Sequence, residues 1–145
     1  MKIKSKDLFH GAVLTQIVEH PSFTALNKVN SKHGHYQINA DRRLLLKRSS
    51  RLQNNYWHFT FNSDDIDTLV DDINSNQECF LCLICGKETI CLLTIDEFEQ
   101  LLDVSKNSQQ WIKLEVPEGK SIRVKSVLCA LNKKIPHSRF PDHLF

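Results

Sequence analysis

The chain has 145 residues, 41% hydrophobic and 25% charged, with a formal net charge of +2. That is the size of one globular domain with one core, and the longest apolar run, Phe80–Ile84, is far short of the roughly 20 residues a membrane-spanning helix needs. With no apolar secretory core behind Met1–Asp7, a cytoplasmic single domain over residues 1–145 with no membrane contact is expected.

In chain order, Leu8, Val13, Leu14, Ile17 and Val18 recur at helical spacing behind Ser5 as a cap, and Pro21 breaks that helix. Ser22–Val29 reads as a further helical turn packed through Phe23 and Leu26. The period then changes. A hairpin over residues 35–49 turns at Ala40-Asp41-Arg42, and Tyr56–Phe61 alternates aromatic with polar as a third strand. Ser63–Ile73 has a serine cap, first-turn acids and apolar Ile66, Leu69, Val70 and Ile73, which predicts a helix with its acids on the outer face.

Strands Cys79–Cys85 and Thr89–Leu93 follow, joined at Gly86-Lys-Glu, and Thr94 caps a third helix. Trp111–Val116 and Ser121–Val127 form a last hairpin, with residues 135–145 as an extended tail. This order predicts an α+β domain: an N-terminal helix, a largely antiparallel or mixed sheet, two further helices and a C-terminal hairpin.

Charge is segregated along the chain. Residues 1–62 carry ten Lys/Arg against three acids, residues 63–103 one against eleven, and residues 104–145 eight against three. The densest basic run, Arg42, Arg43, Lys47, Arg48 and Arg51, followed by Tyr56 and Trp57, mixes phosphate-pairing cations with rings able to stack on bases, so it is the expected nucleic-acid surface. Alternation sets Arg43 and Lys47 on one sheet face and Arg48 on the other. Lys120, Arg123, Lys125, Lys133 and Lys134 extend the patch if the last hairpin packs nearby. The same charge blocks also suit self-association or a protein partner, with Phe140, Leu144 and Phe145 anchoring either a docked tail or one folded back on its own sheet.

Cysteines 79, 82, 85, 91 and 129 are expected as reduced core residues. Cys82-Leu-Ile-Cys85-Gly has the spacing of one zinc knuckle, but the second pair is missing, so Cys82 and Cys85 stand only as an alternative metal pair. His33, His35, His137 and His143 complete no ligand pattern and read as surface or hairpin-end histidines. No glycine-rich phosphate loop and no nucleophile elbow is present.

A helix carrying Glu19, then a hairpin with Asp41 at its turn and Lys47 in its second strand, resembles the restriction endonuclease-like fold over about residues 8–85. The resemblance implies Glu19 and Asp41 as magnesium ligands and Lys47 as the catalytic lysine. The sequence departs from that pattern at Leu45, where the family has its second acid. The expectation is therefore a nuclease-like module that binds nucleic acid, or a protein that handles it, without catalysis and without a cofactor. The resemblance also implies a prokaryotic or phage setting in genome defence. Two alternatives stay open: an active magnesium-dependent nuclease and a homo-oligomeric adaptor.

Overall fold

Two β-sheets are set face to face, and the larger one carries a helix and the chain's C-terminus on its other side. The structure, a computed structural model, describes every residue except Ser50, and Arg51 and Leu52 through their backbone alone. The elements are α1 (Ser5–Val18), β1 (Leu26–Lys28), β2 (His35–Ile38), β3 (Arg42–Ser49), β4 (Arg51–Gln53), β5 (Tyr56–Phe61), α2 (Ser63–Asn74), β6 (Glu78–Cys85), β7 (Thr89–Thr94), α3 (Ile95–Leu101), β8 (Gln110–Glu115) and β9 (Arg123–Ser126). Short 3₁₀ turns at His137–Arg139 and Asp142–Leu144 end the chain.

Strand order in the first sheet is β1-β2-β3-β6-β7; β3 and β6 run parallel and the other pairs antiparallel. The second sheet, β4-β5-β8-β9, is antiparallel throughout. The protein is thus an α+β fold with a mixed and an antiparallel sheet.

Alternation explains the layering. In β6, Cys79, Leu81, Leu83 and Cys85 face the second sheet and pack with Phe59, Phe61, Ile112, Leu114 and helices α2 and α3. Phe80, Cys82 and Ile84 face the other way, against Val13 and Ile17 of α1 and the tail residues Phe140 and Leu144. A strand buried on both faces has to read as a continuous apolar run, which is what Phe80–Ile84 is.

Several elements differ from the sequence reading. Ser22–Val29 holds strand β1, because Leu26–Lys28 pairs with Tyr36–Ile38 and satisfies that edge, which a helical turn could not do. The caps shift by one: Lys4 precedes α1, and Asn62 caps α2 by accepting the Asp65 N–H at 2.9 Å. Tyr56–Phe61 belongs to the second sheet and not to the hairpin's sheet. The tail folds back on its own sheet: Arg139 Nη1 pairs with Glu97 Oε1 at 2.5 Å, and Leu144 is fully buried. Among the described residues no helix is long and apolar enough to cross a membrane.

Candidate nucleic-acid interface

The basic run of β3 is largely consumed inside the fold. Lys47 Nζ lies 2.9 Å from Asp65 Oδ2 and 5.4 Å from the centre of the Phe61 ring. Arg43 donates through Nε to Gln37 and through Nη1 to Asp72, the latter at 3.3 Å. On the opposite face Arg42 pairs with Asp41 and donates to the Phe145 carbonyl, and Arg48 sits over the Phe9 ring at 5.5 Å. Trp57 is 5% exposed in the core and has no face to offer a base. It packs over Gly86, where an added Cβ would fall 2.7 Å from Trp57 Cη2. The Arg51 side chain lies outside the described residues.

Much of the positive-to-negative alternation in the sequence is therefore intramolecular pairing between β3 and α2. Two of the α2 acids point inward and not to solvent: Asp65 and Asp72 are buried, whereas Asp64, Asp67 and Asp71 are exposed. Burial alone would raise the Asp65 pKa, but hydrogen bonds from Lys47 and Lys32 outweigh it and hold the carboxyl below its usual range. His35, expected at the surface, is buried and donates through Nε2 to the Asp72 carboxylate at 2.8 Å. Nothing in the His33-Gly34-His35 spacing signalled this pairing, because its partner lies on α2.

Glu19, Asp41 and Lys47 do not converge. Glu19 is an exposed residue at the end of α1, on one side of the first sheet, while Lys47 reaches Asp65 on the other. Asp41 sits in the exposed β2–β3 turn with its carboxylate on Arg42. Cys82 and Cys85, three apart in one strand, face opposite sides of the sheet and cannot share an ion. Burial pushes the thiols up, Cys79 to about 11 and Cys82 and Cys91 well above their usual value, so they are inert core groups. Among the described residues no three His, Cys, Asp or Glu side chains gather in a metal-binding arrangement.

One further titratable group is out of the ordinary. His10 of α1 is buried and stacks on His33 at 4.7 Å, and among the described residues its Nδ1 has no hydrogen-bond partner. Burial, followed by the positive charges of His33, Arg48 and Lys6, lowers its pKa to about 4.

Among the described residues, one group of cations without an ion pair gathers on the second sheet and the segment that follows it. The sheet's inner residues Trp57, Phe59, Phe61, Ile112, Leu114 and Val124 fill the core, so the alternate residues of β5, β8 and β9 form an outer face. Register arranges that face in cross-strand rows: Tyr56–Glu115–Arg123, then His58–Lys113–Lys125, then Thr60–Trp111. Lys113 and Lys125 stand directly opposite each other, an arrangement that destabilises a sheet by like-charge repulsion. Arg123 has Glu115 at 4.0 Å. Among the described residues no carboxylate lies within ion-pair distance of Lys113, Lys125, Lys133 or Lys134.

The strand-like segment after β9 closes the face into a groove. Bridges Lys125↔Ala130 and Ile122↔Ile135 lay Ala130–Lys134 along the edge, and a cavity of about 420 Å³ opens there, lined by Tyr56, Lys113, Arg123, Lys125, Lys133 and Lys134 together with the carboxylate of Glu115. Lys113 Nζ is 4.8 Å from the centre of the Tyr56 ring, and His58 stacks on Trp111 at 5.8 Å. A polyanion along this groove would meet four cations that carry no internal counter-charge. The sequence offers Arg123, Lys125, Lys133 and Lys134 as an extension of the basic run but gives no sign of Lys113, which only the β8–β9 register sets against Lys125.

Comparison of the chain with protein-family models, with curated proteins and with solved structures finds no significant match.

Proposed function

We propose that this protein binds nucleic acid, without cleaving it, on the outer face of the β5–β8–β9 sheet. The observation that carries the reading is the Lys113–Lys125 pair: two cations held in direct cross-strand register with no acid between them, flanked by Lys133 and Lys134. Such a pair costs the free protein stability and is relieved by a ligand with closely spaced negative charges. The placement of Glu19 and Lys47 on opposite sides of the first sheet, with the Asp41 carboxylate taken up by Arg42, supports binding over catalysis. The order of helix, antiparallel strands, crossover helix and parallel strand before residue 86 is compatible with the proposed restriction endonuclease-like resemblance, and a genome-defence setting is proposed on that resemblance alone.

The test is fluorescence anisotropy of labelled DNA and RNA, single- and double-stranded, at several salt concentrations with and without magnesium. Four phosphate contacts give a slope of log affinity against log salt of about −3 for single strands and somewhat steeper for duplex. Lys113→Gln with Lys125→Gln should lower that slope by between one and two. Unchanged binding in the double variant overturns the assignment of the face. Magnesium-dependent shortening of the label, abolished by both Asp41→Ala and Lys47→Ala, overturns the absence of cleavage.

A further inference from the structure

The cationic groove also carries aromatic rings, and their placement bears on which form of nucleic acid it takes. We infer that the ligand is a single strand whose bases stack on Tyr56, His58 and Trp111 while its phosphates follow Lys113 and Lys125, an inference that rests on the binding reading above. Tyr56 and His58 are two residues apart on β5, so their rings rise from the same face about 7 Å apart. Trp111 stands on the neighbouring strand, diagonal to His58, with the two rings 29° from parallel. Tyr56, His58 and Trp111 are each partly exposed, so the row of lysines ends in a partly accessible platform of rings.

A duplex cannot use such a platform. Its bases are stacked on one another and present only phosphates and groove edges to a flat sheet, whereas an unpaired strand offers the face of each base. Ring stacking is tolerant of sequence, so the groove would hold single strands with little base preference. Trp57, which follows the β3 run, is in the core and offers no such ring.

The full chain provides its own reporter, since one of its two tryptophans, Trp57, is buried and the other, Trp111, lies on the proposed platform. The experiment titrates the protein with single-stranded DNA and RNA, a sequence-matched duplex, and inorganic polyphosphate as a ligand with charge but no bases. The expected result, in either the DNA or the RNA arm, is single-strand affinity about tenfold or more above duplex at equal salt, with quenching of Trp111 that polyphosphate does not produce. Trp111→Ala should weaken the single strand about tenfold and leave the duplex little changed, and Trp111→Phe should restore most of the loss, which a folding defect would not allow. Equal affinity for single strand and duplex, or single-strand affinity unchanged in Trp111→Ala, overturns the inference while leaving phosphate-driven binding on this face intact. Absence of salt-dependent binding in every arm overturns both.

Discussion

Replacing Asp65 by asparagine tests whether the basic strand β3 is structural or available to a ligand. The carboxylate is 3% exposed and accepts from Lys47 Nζ at 2.9 Å and the Asn62 N–H at 3.1 Å, with Lys32 Nζ 2.9 Å from its other oxygen. Breaking a buried pair by removing one partner costs about 3–5 kcal/mol when both ions are fully buried. Lys32 and Lys47 each keep about a fifth of their side-chain exposure, so the loss falls nearer about 2–3 kcal/mol, equivalent to roughly 4–12 °C in Tm at this chain length. Asp64→Asn, at an acid whose side chain is 74% exposed, should change stability by at most about 1 kcal/mol. The sign with pH follows from the lowered folded pKa. Asp65 contributes stability above the unfolded carboxyl value near 3.8 and loses it as pH falls through that value toward the lower folded one. Thermal unfolding of wild type and Asp65→Asn between pH 7 and pH 3 should therefore converge at the acid end. An Asp65→Asn protein as stable as wild type at pH 7 would refute the assignment of Lys47 to the fold and return it to the candidate ligand surface.

Gly86→Val should destabilise by more than about 2 kcal/mol in denaturant unfolding, because φ is +51° and the new Cβ meets the Trp57 ring; a neutral result would mean the turn moves freely. His10 is depressed from 6.5 to about 4, so the unfolded chain binds the extra proton. Stability should fall as pH drops from about 6.5 to about 4, and His10→Gln should flatten that part of the profile. Lys125→Glu turns a repulsive cross-strand pair into an attractive one; it should raise stability by a few tenths to about 1 kcal/mol while weakening nucleic-acid binding, a combination that calorimetry and anisotropy together will reveal.

The elements were largely legible from the sequence because their signals are local. The capped, acid-led helix at Ser63–Asn74, the apolar run of β6 and the alternating aromatics of β5 each state their own period. Strand β1 was not legible: three residues are too few for a period, and it exists through its pairing with β2. The internal pairing of the β3 cations was not legible for a related reason. Density of charge along the chain marked Arg42–Arg51, but partners on α2, 18 and 29 residues further along the chain, neutralise Lys47 and Arg43. Alternation correctly put Arg43 and Lys47 on one face. What it could not say was that this face looks onto Asp65 and Asp72, or that Trp57 would be turned inward by the second sheet.

The most direct test of the account is an amide-shift titration of the 16.8 kDa chain by NMR with a short single-stranded oligonucleotide. Shifts concentrated on the outer residues of β5, β8 and β9 and on Ala130–Lys134 are expected, with β3 and α1 unmoved. Shifts centred on Arg42–Ser49 and Arg48 in particular, with Lys113 and Lys125 silent, would contradict it.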